Sequence, residues 1–161
     1  MINKDIEQLM MDDDHPLMIR SEDVATVRME NTLLHATMVL STVGYSSIPV
    51  LDNNHRLQGV VTMPMIIEGI KDQVAYNWDL LADKRIEDVV STDFSCAQKG
   101  VDLEDILHQL INHNYVCIVD DEGVFLGIIT RKNILKRVNH LVHELDNIFD
   151  LEKKPALLNS H

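Results

Sequence analysis

Apolar and polar positions along this chain run twice through the same order: a short apolar segment, an amphipathic helical stretch, two strand-like runs around an acidic turn, then a second helix. Val50-Leu51-Asp52, Leu57 and Gly59-Val60-Val61-Thr62 return as Ile118-Val119-Asp120, Phe125 and Gly127-Ile128-Ile129-Thr130 at an offset of 68 residues (52 to 120, 59 to 127, 62 to 130). Further upstream, Ser21, Asp23, Val24 and Tyr45 meet Ser91, Asp93, Phe94 and Tyr115 at an offset of 70 (21 to 91, 45 to 115). The second copy is therefore two residues shorter, and the extra residues of the first belong to Gly44-Tyr45-Ser46-Ser47-Ile48-Pro49. Each copy of such a unit buries its apolar face against the other. A site is expected between them.

The pattern predicts elements copy by copy. Ile6 to Arg20 reads as a helical lead-in interrupted at His15-Pro16, because the residue before a proline is pushed out of the helical region. Val24-Ala25-Thr26-Val27 is a short β-like run, and Thr32 to Leu40 follows as a helix. In the helix of the second copy, Leu103, Ile106, Leu107, Leu110 and Ile111 fall at i, i+3, i+4, i+7 and i+8, one core-facing side. Strands at Ile48 to Leu51 and Leu57 to Val61, and again at Val116 to Val119 and Val124 to Ile129, form two hairpins. Thr62 and Thr130 are placed to cap the helices that follow, and Pro64 suits a first helical turn. Lys71 to Arg85, which holds Tyr76 and the single tryptophan, Trp78, but no Gly or Pro, reads as an ordered connector. Beyond about Asp146 the pattern fades, and Glu152-Lys153-Lys154-Pro155 ends any helix. The expected organisation is α+β: a lead-in helix at 1–15, repeats at 16–71 and 86–142, a connector at 72–85, and a helix end and tail at 143–161.

Composition narrows the function. The 161 residues suit one compact body, close to the roughly 150 typical of a domain. Hydrophobic residues make up 45% of the chain and aromatics only 4%, so the core is aliphatic and includes some of the eight methionines. A net charge of −12 argues against nucleic acid or anionic membrane as a partner. The chain lacks a transmembrane-length apolar run, and its acidic N-terminal region lacks the features of a signal peptide, so a cytoplasmic place is expected. Cys96 and Cys117 form neither a disulfide framework nor a zinc motif and are read as reduced.

The sharpest chemistry lies at Thr130-Arg131-Lys132. Two cations in the first turn of a helix face the positive end of its dipole and are disfavoured by about 0.3–1 kcal/mol each. Something must compensate. Outward-pointing N–H groups with Arg131, Lys132 and the Thr130 hydroxyl suit a phosphate, and Lys136 and Arg137 enlarge the basic patch. The alternative is a solvated helix end beside Asp120 to Glu122. The matching first-copy position, Thr62-Met63-Pro64, carries no charge. Asp12-Asp13-Asp14-His15 and the His140/His143 pair are read as exposed helix surface rather than metal sites. Without a nucleophile elbow or P-loop, the chain is expected to be non-catalytic.

Two units ending their hairpins in Gly-h-h-Thr resemble a tandem pair of CBS domains, the Bateman module, over about residues 15 to 142. The resemblance implies two β-α-β-β-α repeats with adenine nucleotides held in clefts between them. Adenine then lies against Ala25, Thr26, Val27, Tyr45, Ile48 and Pro49. Members that bind AMP or ATP carry an Asp three residues after the Thr to hold the ribose hydroxyls. Here that position is Met65 in the first copy and Asn133 in the second. Asp23-Val24-Ala25, Gly44 to Asp52, Asn114-Tyr115-Val116-Cys117 and Thr130-Arg131-Lys132 resemble more closely the small stand-alone CBS proteins of Gram-positive bacteria that bind cyclic di-AMP, the DarB/CbpB group. That likeness implies phosphates on Arg131, Lys132 and Thr130, and Ser46 and Ser47 on ribose or phosphate oxygens. Asp23 stands where one member has a basic residue. It further implies a homodimer whose free form binds a Rel-type (p)ppGpp synthetase and releases it when ligand binds. An AMP/ADP/ATP sensor of the same fold is the alternative.

Overall fold

The computed structural model describes residues 1–11 and 16–148. The acidic stretch Asp12-Asp13-Asp14-His15 and the tail beyond 148, including Glu152-Lys153-Lys154-Pro155, lie outside the described residues. The first repeat comprises β2 (Val27–Arg28), α2 (Leu33–Val43), β3 (Ser47–Leu51), β4 (Leu57–Thr62) and α3 (Met63–Gly69). The second comprises β5 (Cys96–Gln98), α5 (Leu103–Asn112), β6 (Tyr115–Val119), β7 (Phe125–Thr130) and α6 (Arg131–Ile148). Before them stand α1 (Lys4–Met10) and β1 (Met18–Arg20), and α4 (Leu80–Asp83) lies in the connector. Thr32 caps α2 by accepting from His35 N, and Thr62 and Thr130 do the same for α3 and α6.

In each repeat a short first strand pairs parallel to the next, and that strand pairs antiparallel to the third, giving β2-β3-β4 and β5-β6-β7. Strand alternation sends one face of each sheet to its own helices and the other to the opposite repeat. Thus Ile48, Val50 and Val61 pack with Leu33, Ala36 and Ile66 in the first core, while Val116, Ile118 and Ile129 pack with Leu103, Ile106 and Leu110 in the second. Val24, Leu51, Cys117, Phe125 and Ile128 form a third core between the sheets. Burial and the neighbouring Cys96 push the Cys117 thiol up to about 12, and both cysteines are free.

The segment before each repeat crosses to the other one. β1 pairs antiparallel with β7, and Ser91 bridges Val60 of β4. The glycine of each Gly-h-h-Thr makes the crossing possible: a Cβ on Gly127 would lie 2.1 Å from Ile19 O, and one on Gly59 would lie 2.2 Å from Ser91 O. The stretch expected as the second half of a lead-in helix is therefore strand from Met18, because the far sheet has an open edge there. The predicted β-like run at Val24 to Val27 shrinks to Val27–Arg28 and follows a 3₁₀ turn at Ser21–Asp23. Ile111, expected in the core, is 70% exposed near the end of α5.

A pseudo-twofold axis is visible in the hydrogen bonds. Ser47 Oγ bonds the Tyr115 hydroxyl at 2.8 Å, and Asn114 Nδ2 donates to Ser46 Oγ at 3.2 Å, each pair 68 residues apart. Leu57 N donates to Gly123 O at 3.0 Å and Phe125 N to His55 O at 2.9 Å, the same contact made twice. Ser47, rather than Tyr45, is thus the counterpart of Tyr115. The two extra residues lie before β3, at the end of α2.

Candidate functional site

Ser46, Ser47, Asn114 and Tyr115 line two clefts related by the pseudo-twofold. The larger has a volume of about 900 Å³ and an apolar floor of Ile19, Val24, Pro49 and Ile128. Alternation on β3 turns Ser47 and Pro49 to this cleft and Ile48 and Val50 into the core, and alternation on β7 turns Ile128 and Thr130 the same way. α2 ends at Gly44, whose N–H bonds Leu40 O and whose left-handed φ of 67° turns the chain out of the helix and sets Tyr45 on the cleft rim.

The other wall is the start of α6: Thr130, Arg131, Lys132 and Asn133, followed by Leu135, Lys136 and Asn139. Arg131 is not simply aimed at the cavity. Its Nε donates to Leu110 O at 2.8 Å, and its Nη2 donates to His113 O at 3.0 Å and Ile111 O at 3.3 Å. These carbonyls close the negative end of α5, so the compensation that Arg131 requires comes in part from a neighbouring helix. Lys132 and Lys136 have no hydrogen-bond or ion-pair partner among the described residues. Arg137, expected in the same patch, points away and donates to Leu9 O and Met10 O at the end of α1. Thr130 Oγ1 accepts from Asn133 N at 3.0 Å, which leaves its hydroxyl proton for another acceptor. Burial raises the Tyr115 phenol well above the usual tyrosine range, and it stays protonated beside Ser47.

Of the residues predicted for the site, Tyr45, Ser46, Ser47, Pro49, Thr130, Arg131 and Lys132 line the larger cleft. Val27 and Ile48 do not: both are buried in the first repeat's core, on the helix-facing side of their strands. Asp23, Ala25 and Thr26 also lie off the lining, with Asp23 exposed on the 3₁₀ turn. Ile19, Asn114, Tyr115 and Ile128 join the cleft unpredicted. Alternation along β7 pointed to Ile128, whereas Ile19 arrives through pairing with a strand about 110 residues away and leaves no local signal.

The second cleft is smaller, about 270 Å³, and is lined by Thr62, Met65, Asp93 and Phe94, without a lysine or arginine. Phe94 stands where the larger cleft has Val24, and Met65 where it has Asn133. The two clefts share a scaffold but differ in room and charge.

The CBS-domain family model matches residues 13–72 and 86–140. The chain belongs to the CBS-domain family. Cyclic di-AMP receptor B of Bacillus subtilis is 34% identical over 146 residues, which span 91% of this chain and 99% of that protein. Among solved structures, CbpB of Listeria monocytogenes in complex with cyclic di-AMP is 41% identical, covering 78% of this chain and 94% of that one, with a TM-score of 0.73. CbpB of Streptococcus agalactiae, 25% identical, covers 95% and 96% with a TM-score of 0.85. The tandem CBS pair implied by the resemblance is the fold observed.

Proposed function

We propose that this CBS pair is a non-catalytic receptor that takes cyclic di-AMP in its larger cleft and thereby switches a protein partner, a Rel-type (p)ppGpp synthetase, in the cytoplasm. The observation that carries the reading is the asymmetry of the clefts. Only the larger combines an apolar floor for a purine with unpaired lysines at a helix start. One adenine lies on Val24, Pro49 and Ile128 with Tyr45 at the rim, and the phosphates meet Lys132, Lys136 and the Thr130 hydroxyl. The names of the relatives support the ligand class. An AMP, ADP or ATP sensor is the second reading. Against it stands Asn133, which offers one acceptor where a carboxylate would hold a free ribose diol.

Calorimetry against cyclic di-AMP, AMP and ATP tests the choice. Cyclic di-AMP is expected to bind at micromolar levels or tighter, and binding of AMP alone would sink the proposal. Lys132→Met is expected to weaken cyclic di-AMP about tenfold, the loss of one charge-assisted contact. Its thermal midpoint should be unchanged because the side chain is exposed and unpartnered. In a pull-down of the synthetase, added ligand should release the partner.

Self-association as a homodimer is part of the same proposal. Leu135, Val138 and Val142 are exposed at i, i+3 and i+7 along α6, an apolar stripe left uncovered by the described residues. Val138→Asp with Val142→Asp is expected to give a monomer by light scattering, and a dimer that survives both changes would exclude this face.

A further inference from the structure

We infer that the connector between the two CBS units is a docking site for an arginine-bearing segment of a protein partner. The chain has only three Tyr, three Phe and one Trp. Two of them, Tyr76 and Trp78, stand 48% and 60% exposed within three residues of each other, beside Val74 at 96%. A core short of aromatics would gain by burying them.

The backbone that displays them is firmly built. Asp72 N donates to Ala75 O at 2.7 Å and Asn77 N to Ile70 O at 2.8 Å, Lys71 bridges Tyr76, and Leu81 N reaches Trp78 O at 3.1 Å. The two rings, tilted by 44° with centroids 6.3 Å apart, do not stack on each other. They instead line a groove of about 410 Å³ together with Asp72, Ala75, Asn77 and Asp79.

Charge decides what fits. Asp72 uses one carboxylate oxygen to accept from Gln73 N, and no cation pairs with Asp72 or Asp79 among the described residues. The nearby cations are engaged elsewhere: Lys71 pairs with Glu68, and Lys84 donates to Gly69 O. Aromatic faces flanked by uncompensated carboxylates favour a cation with a flat, weakly hydrated body, which describes a guanidinium better than an ammonium. A purely apolar partner would desolvate both carboxylates without compensation. Phosphate, nucleic acid and anionic lipid are repelled. The net charge of −12 steers a basic segment toward this surface. None of these residues lines either cleft, so the inference stands apart from the ligand proposal.

Because Trp78 is the single tryptophan, its emission reports the groove directly. The probe is the blocked peptide acetyl-Gly-Gly-Arg-Gly-Gly-amide, with the isosteric citrulline peptide as control. The arginine peptide is expected to give a saturable change in emission. The citrulline peptide, and the arginine peptide against Asp72→Asn/Asp79→Asn, should each bind at least about fivefold more weakly, with the variant's thermal midpoint unchanged. A response that does not saturate, or equal affinity for the two peptides, would overturn the assignment. So would an emission shift produced by protein concentration alone, since a second copy would then fill the groove.

Discussion

Gly127→Ala is expected to lower stability by about 3 kcal/mol or more and to abolish ligand binding in the larger cleft. The added methyl would stand 2.1 Å from Ile19 O and 3.1 Å from the Met18 side chain. The first of these atoms is backbone and cannot rotate away, so β1 must leave β7. Only three residues, Met18, Ile19 and Arg20, hold that pairing. With β1 goes Ile19, one side of the cleft floor. Gly59→Ala is the natural comparison: its methyl would meet Ser91 O at 2.2 Å and disrupt the equivalent crossing on the opposite side of the axis. It is expected to destabilise to a similar degree while leaving the floor of the larger cleft in place. Urea denaturation of both variants, with calorimetry against cyclic di-AMP where the protein remains folded, checks the pair. A Gly127→Ala protein with the parent midpoint would mean that β1 does not cross there.

Arg131→Met is expected to lose stability and affinity together. Its guanidinium satisfies three carbonyls at the end of α5, and hydrogen bonds from a charged donor contribute about 1.5–3 kcal/mol each before non-additivity. A net loss of about 2 kcal/mol is expected, a fall in melting midpoint of several degrees. Arg131→Lys separates the two roles. The ammonium keeps the charge near the cleft but cannot reproduce the planar fork, so the lysine variant should recover much of the cyclic di-AMP affinity and little of the stability. Thermal scans and calorimetry on the two proteins, beside Lys132→Met, read both quantities. An Arg131→Met protein as stable as the parent would remove the capping role. Equal binding losses in the Met and Lys variants would confine Arg131 to structure.

The capping role of Arg131 connects two features that lie far apart in the chain. The first repeat has two extra residues before β3 and ends α2 on Gly44 in the left-handed conformation. The shorter second repeat ends α5 without a glycine, and Arg131 supplies the cap from the next helix. In the first repeat the corresponding residue is Met63, where no such cap is needed. The departures from internal symmetry are therefore partly two solutions to one problem, the unpaired carbonyls at a helix end.

Much of the architecture was legible in the order of residues. Alternation and turn residues located both hairpins to within a residue or so, Thr62 and Thr130 announced the helices they cap, and the Gly-h-h-Thr repeat announced the duplication. Seven of the twelve proposed site residues line the larger cleft. Val27 and Ile48 were misplaced because assigning an apolar strand residue to one face requires knowing which face the helices cover, and both faces here are buried.

Elements, duplication and the unequal charge of the two repeats follow from local pattern, since backbone propensity, capping and period-two alternation act within a few residues. Tertiary structure alone decided that Met18 to Arg20 join the far sheet, that Ile19 reaches the cleft floor, and that Arg131 and Arg137 spend donors on the ends of α5 and α1. Those outcomes depend on an open sheet edge and unpaired carbonyls brought close by packing across roughly 20 to 130 residues of chain, distances over which periodicity carries no information.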